Sequence, residues 1–228
     1  MSPSTQTVED AMRAIVVDSG VYHPQEDSRL LVDTLRRHHV PTGKRVLDLC
    51  TGSGVVAIAA ALSGASEVVA VDISAKAVAC AQRNADALGA AVTVVHGPIE
   101  EARSLGTFDI VVSNPPYVPA AAPVPGPGVH VAWNAGVDGR SVLDPICRLA
   151  HDLLSPGGTI LLVQSEYSSP ATTVEMLAAS GFTAEVLDRR TVDFGPVMHD
   201  RADWLEETGV LDAGRRREDL VVVRGVRQ

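Results

Sequence analysis

The stretch "RVLDLCTGSGVVAIAAA", Arg45 to Ala61, joins an apolar run, an acid, a turn with two glycines and a run of small helix formers. The apolar residues of its first part are nearly continuous rather than alternating, the pattern of a strand covered on both faces. From Val55 onward the small and branched apolar residues suit a helix packed closely on that strand. Gly52 and Gly54 allow a tight turn between the two and let a ligand approach the backbone where the helix starts. A buried strand feeding a helix in this way is the first unit of a sheet built with crossovers.

The unit repeats downstream. "EVVAVDI" (67–73), "VTVVHG" (92–97), "FDIVVSN" (108–114) and "GTILLVQSE" (158–166) are short apolar runs ending near Gly, Asp, Asn or Glu. Helical patterns separate several of them. The clearest, "SAKAVACAQRNADALG", opens on Ser74 as an N-cap and closes on Gly89 as a C-cap. Strand and helix in alternation predict a doubly wound α/β sheet with right-handed crossovers and helices on both faces. "TAEVLDRR" (183–190) and "EDLVVVRGV" (218–226) predict a terminal strand pair, with an insertion at 191–218 between them. "VEDAMRAIVV" (8–17) and "EDSRLLVDTLRRH" (26–38) predict amphipathic helices across the sheet's carboxyl edge, forming a lid over residues 1–40. The Pro/Gly-rich residues 118–140 read as a substrate loop, and 1–228 as one domain.

Bulk properties narrow the function. With 228 residues, nearly half of them apolar, the chain buries one sizeable core. Its formal charge of −9 disfavours stable nucleic-acid binding. The basic clusters at Arg36–His39 and Arg215–Arg217 are expected to be solvated helix ends and loops. Cys50, Cys80 and Cys147 form no C-x-x-C pair, so reduced thiols and no metal site are expected. No apolar run reaches the roughly 18 residues of a membrane span. The start "MSPSTQTVED" lacks a basic-then-apolar leader, so a soluble, cytoplasmic protein is expected.

Ligands of doubly wound sheets bind beyond the carboxyl ends of the strands. Asp72, at the end of the second strand in "VDIS", stands where a carboxylate takes both hydroxyls of a ribose, in a dinucleotide enzyme as in others. Asp48 separates the possibilities. A pyrophosphate beside it is repelled, whereas a cofactor with an ammonium there and no phosphate is attracted. S-adenosylmethionine has that distribution of charge. The alternative is that Asp48 only caps the following turn.

"LDLCTGSG", "VDIS" and "NPPY" (114–117) at these spacings resemble class I S-adenosylmethionine-dependent methyltransferases. "NPPYVP" together with "GVYHPQEDSRLLVDTL" (Gly20 to Leu35) resembles, more narrowly, the HemK-like glutamine methyltransferases, in the short branch without a separate N-terminal helical domain. The resemblance implies a seven-stranded Rossmann-like sheet of order 3-2-1-4-5-7-6 with the last strand antiparallel. It implies S-adenosyl-L-methionine bound by Ser28, Asp48, Cys50, Gly52, Gly54, Asp72, Ile73, Ile99 and Asn114. It also implies catalysis by Asn114, Pro115 and Tyr117, a class I release factor as substrate, and room for a small activating subunit. Two departures stand out. Pro98 replaces the acid expected near the adenine, leaving backbone near Ile99 for that contact. Cys50 replaces a common Gly, read here as one small residue for another.

The NPPY turn has a chemistry of its own. Two prolines fix the backbone, offering the Asn114 amide oxygen and the Pro115 carbonyl as stationary acceptors for the two hydrogens of a planar NH2. Tyr117 is expected against the amide face. Such a holder fits the Gln of a Gly-Gly-Gln protein loop, a small-molecule amine or amide of specialised metabolism, or, against the acidic charge, an adenine-N6 or guanine-N2 amine. His130, Trp133 and His199 lack partners at metal or triad spacing and read as packing residues. Tyr22 and Pro24 read as shaping the lid, and Glu166 and Tyr167 are candidates for the substrate mouth.

Overall fold

The computed structural model describes residues 5–38, 41–121 and 134–228. β1 (Arg45–Leu49) lies parallel to β2 (Glu67–Asp72) on one side and to β4 (Phe108–Ser113) on the other. With β3 (Thr93–His96), β5 (Leu154–Ser165), β6 (Phe182–Asp193) and β7 (Arg217–Arg227) the sheet order is 3-2-1-4-5-7-6. β7 is inserted antiparallel between β5 and β6. Strand order reverses between β1 and β4, so the crevice of a doubly wound sheet opens at their carboxyl ends. Val46, Leu47, Leu49, Val111, Val112 and Ile160 to Val163 are buried, which explains the near-continuous apolar runs of the central strands.

Two helical groups flank the sheet. α1 (Thr5–Ala14), α2 (Glu26–His38) and α4 (Ala75–Leu88) all contact α3 (Val55–Leu62), whereas α5 (Leu143–Leu153) contacts α6 (Pro170–Ala179) and the 3₁₀ helix Ile99–Leu105. Ser74 caps α4 by accepting the Ala77 N–H, and Gly89 closes it in the left-handed conformation.

Three sequence readings change. α2 does not lie across the carboxyl edge. Its buried stripe, Leu30, Leu31, Val32 and Leu35, packs on α3, β5, β6 and β7, and its first turn carries Asp27 and Ser28 to that edge. The insertion is also shorter than 191–218, because β6 and β7 stay paired to Asp193↔Arg217. Edge strand β6 is largely half-exposed, so its polar end lacks the apolar signature of a strand. The excursion is 194–216 and contains α7 (Pro196–Glu207), which buries Met198, Ala202 and Leu205 in the main core. Third, β5 starts at Leu154, ahead of Gly158, with an irregular register against β4.

Loop 118–140 is closed at its base. Val118 bridges Asn134, Ala135 N–H donates to the Val118 carbonyl at 3.1 Å, and Ala120 N–H to the Gly136 carbonyl at 2.9 Å. Residues 122–133, with His130 and Trp133, lie outside the described residues. Arg215, Arg216 and Arg217 pair with Glu166, Glu206 and Asp193, as expected of a solvated cluster. Among the described residues no helix is long and apolar enough to cross a membrane, and no His/Cys/Asp/Glu group could hold a metal ion.

Candidate active site

The turn after β1 depends on left-handed backbone at three places: Cys50 (φ 59°), Gly52 (φ 57°) and Gly54 (φ 84°). The reading of Cys50 as a neutral exchange for Gly is therefore corrected. A side chain held at that φ costs roughly 1–2 kcal/mol. Gly54 is corrected too. A Cβ there would stand 3.1 Å from Ala81 Cα and Cβ, so Gly54 lets α3 approach α4 and does not face the ligand cavity. At Gly52 no atom stands within 4 Å of such a Cβ, and the residue lines the cavity.

That cavity, of about 1000 Å³, runs along the carboxyl ends of β1, β2 and β4. Ser28, Asp48, Cys50, Gly52, Asp72, Ile73, Ile99 and Asn114 all line it. The Asp72 carboxylate accepts the Gly52 N–H and the Ser74 N–H, each at 2.9 Å, one on each oxygen. Burial raises its pKa, and these N–H bonds oppose the rise. Each oxygen keeps a lone pair for a further donor. The Ile73 side chain is 65% exposed, an unusual position for a large apolar residue beside a cavity. Glu100, two residues beyond Pro98, also lines the wall, an acid displaced from the expected position.

Asp48 is 1% exposed. One of its oxygens accepts the Thr51 hydroxyl at 2.6 Å and the Ala57 N–H at 3.1 Å, so the capping role is real. Burial nevertheless pushes its pKa up to about 7 against those bonds, with Asp72 adding to the rise. A cation in the cavity would hold it ionised.

At the end of β4, the Ser113 hydroxyl donates to the Leu49 carbonyl at 2.6 Å and ties the exit of this strand to β1. The half-buried Asn114 donates its amide N–H to Ser28 Oγ at 3.2 Å. Its amide oxygen and the Pro115 carbonyl have no hydrogen-bond donor among the described residues. Asn114, Pro116 and Tyr22 line both the large cavity and a second one of about 110 Å³. Asn114 therefore stands at the partition between two chambers.

Pro115 and Tyr117 line only the small chamber. Tyr117 is buried, and its hydroxyl donates to Asp27 Oδ2 at 3.0 Å. Tyr22 donates to the same oxygen at 2.9 Å, so the N-terminal segment is clamped over the NPPY turn. Burial first, then Asp27, raises both phenol pKa values well above normal and keeps them neutral donors.

Glu166 and Tyr167 line neither chamber. Glu166 accepts the Asp219 N–H at 2.7 Å and pairs with Arg215, and Tyr167 packs edge-on against Phe194. His199 packs against Phe194 in the same manner, as expected. Sequence reasoning missed Asp27 and Glu218, buried acids in the wall of the small chamber, and Asn84. The Asn84 side chain bonds both N–H and C=O of Val16 and the Ser53 carbonyl, fixing the N-terminal segment to the glycine turn.

Comparison with known proteins identifies the family. Residues 13–125 match the family model "Methyltransferase small domain". A Methanocaldococcus jannaschii protein designated a protein N5-glutamine methyltransferase is 32% identical over 179 residues, covering 78% of this chain and 89% of the relative. This chain belongs to the HemK-like glutamine methyltransferase family. A second member, the release factor glutamine methyltransferase of Corynebacterium glutamicum, is 36% identical over 184 residues, 75% of this chain and 65% of that longer protein. Among solved structures, a chain of the E. cuniculi Mtq2–Trm112 complex, responsible for methylation of the eRF1 translation termination factor, superposes with a TM-score of 0.62. It is 23% identical, and the match covers 92% of this chain and 99% of that one. Like the other HemK-like proteins, this chain is a methyltransferase of Rossmann-like fold.

Proposed function

We propose that the protein transfers the methyl group of S-adenosyl-L-methionine to the side-chain amide nitrogen of a protein glutamine, in the Gly-Gly-Gln loop of a class I release factor. The observation that carries this reading is the state of Asn114. Its N–H is engaged by Ser28, and its oxygen, at the partition between two chambers, and the Pro115 carbonyl, in the small one, have no donor among the described residues.

The large chamber fits the cofactor. Asp72 has lone pairs for the ribose hydroxyls, the exposed Ile73 and backbone at Ile99 offer an adenine-sized surface, and Asp48 supplies the charge that an ammonium requires. When bound, the cofactor supplies an electrophilic methyl on a cationic sulfur. Asn114 and Pro115 take the two hydrogens of the acceptor NH2. That grip turns the poorly nucleophilic nitrogen lone pair toward the methyl and holds it without further reorganisation. The ring of Tyr117, locked by Asp27, walls the acceptor side and excludes water. One of the two hydrogens held by Asn114 and Pro115 leaves as a proton to solvent once the methyl is on the nitrogen, so no side chain has to remove it beforehand. The cytoplasm is where such an acceptor is made, and a small activating subunit is compatible with this reading through the relative named above.

The test is incubation with labelled cofactor and a class I release factor, repeated with the loop Gln changed to Ala. Label in the first and none in the second is expected. Equal label in both, or transfer to a small amine alone, refutes the assignment.

A further inference from the structure

The small chamber contains an acid that the chemistry above leaves unused. Four carboxylates line it, and among the described residues no lysine, arginine or histidine does. Glu26 pairs with Arg29 and Arg190, and Asp193 pairs with Arg217. Asp27 is engaged on both oxygens, one by Tyr22 and Tyr117 and the other by Ser28 N–H and hydroxyl. Glu218 differs. It is 5% exposed, one oxygen accepts the Ser165 hydroxyl at 2.5 Å, and the other has no partner among the described residues.

Topology puts it there. β7 runs opposite to β5, so its first residues lie at the sheet's carboxyl edge, where Glu218 pairs in register with Val192. Glu218 lines the small chamber, so a ligand N–H entering it can make a charge-assisted bond to that oxygen. Arg215, whose charge acts on Glu218, pairs with Glu166.

We infer that Glu218 is an acceptor-positioning residue: its free carboxylate oxygen takes a main-chain N–H of the segment that presents the reacting amide. The inference rests on the methyltransferase reading above and deepens it. Asn114 and Pro115 hold the NH2, and Glu218 fixes the backbone that carries it. Glycines beside the reacting residue leave their N–H groups unobstructed. Burial raises Glu218 to about 7, helped by Asp27 and Glu166 and opposed by Ser165 and Arg215. Ionised Glu218 is the stronger acceptor, so acceptor capture improves as pH rises through this value, with neutral Tyr22 and Tyr117 unchanged.

The experiment measures kcat and KM of the full chain and of Glu218→Gln at saturating cofactor, from pH 5.5 to 8.5. The acceptors are a Gly-Gly-Gln peptide and a small planar amine, 4-aminophenylalanine. Glutamine keeps the bond to Ser165, and a melting curve and cofactor titration check that fold and cofactor site are intact. Loss of one charge-assisted bond predicts a peptide KM raised about 10- to 100-fold with kcat within about threefold. Wild-type kcat/KM should rise to a plateau with a midpoint near 7, and the variant should lack this limb. An unchanged peptide KM in the variant, or a flat wild-type profile, overturns the inference while leaving glutamine methylation standing. Transfer to the amine alone refutes the glutamine reading and overturns the inference with it, because a free amino acid has no main-chain amide N–H for Glu218 to hold. Transfer to neither acceptor overturns both.

Discussion

Gly52 and Gly54 share a turn and a left-handed backbone, and replacing each by Ala separates two roles. At Gly52 the new methyl meets nothing within 4 Å, so the cost is the backbone strain alone, roughly 1–2 kcal/mol. At Gly54 the same strain is joined by a contact at 3.1 Å with Ala81 backbone and side chain, neither of which can rotate away. Overpacking of this kind adds about 1–3 kcal/mol, for a total of about 2–5 kcal/mol. For a chain of this size each kcal/mol lowers Tm by roughly 2–4 °C, giving about 2–8 °C for Gly52→Ala and about 4–20 °C for Gly54→Ala. Cofactor affinity should follow the opposite order. The Gly52 methyl enters the cavity wall beside Asp72, whereas Gly54→Ala, studied well below its melting temperature, should bind nearly as wild type. Scanning calorimetry and titration with S-adenosylmethionine measure both quantities. Equal melting temperatures, or a Gly54→Ala protein that is stable but loses the cofactor, would refute the division of labour.

Asn114→Ala should retain fold and cofactor affinity while kcat falls about 10²- to 10³-fold, the usual loss for one preorganised polar contact at a reacting centre; single-turnover transfer to a Gly-Gly-Gln peptide reads it. Asp72→Ala should weaken cofactor binding about 10- to 150-fold, from charge-assisted bonds worth about 1.5–3 kcal/mol, with no NADH binding by the parent, both by calorimetry. The raised pKa of Asp48 and Glu218 means that the free protein loses stability as pH climbs from about 4 through about 7, where these buried acids ionise. Melting of Asp48→Asn should therefore gain on wild type between pH 5 and 8, a gain that saturating cofactor reverses. Arg201 on α7 donates to the Pro119 carbonyl at 2.7 Å and to the Asn134 side chain, on both sides of the base of the Pro/Gly-rich loop. Arg201→Ala should raise the acceptor KM with cofactor Kd unchanged, as steady-state kinetics and titration will show.

The central sheet was legible because β1, β2, β4 and β5 are buried on both faces and must be apolar almost continuously. Turn chemistry marked α4 at both ends, since Ser74 and Gly89 act through local geometry. Strand ends at the sheet's edge were not legible. Thr191, Asp193 and Arg217 pair through backbone, and their side chains are polar because solvent reaches them. Most of the large cavity's wall could be read from spacing, because Asp48, Gly52 and Asp72 lie at fixed distances from strand ends. Gly54 was misassigned because sequence shows that a glycine is needed and not whether a ligand or a neighbouring helix needs it. The acceptor chamber was hardest to see. Asp27, Tyr117 and Glu218 come from α2, the NPPY turn and β7, and only tertiary structure brings them together.

The position of β7 has a consequence for the order of assembly during synthesis. Among the described residues β6 has no sheet neighbour other than β7, and β7 also covers the outer edge of β5. Until residues 217–227 have left the ribosome, β5 presents an open apolar edge and β6 has nothing to pair with, the condition under which nascent chains aggregate. The part of the sheet built from β1 to β4 can form earlier, because β2, β3 and β4 each pair with a strand that precedes them in the chain. A nascent chain stalled before Glu218 should thus protect its cofactor-binding half from protease while residues 154–193 remain cleavable. The acceptor chamber is then the last part of the molecule to exist, and a newly made protein can bind its methyl donor before it can receive anything to methylate.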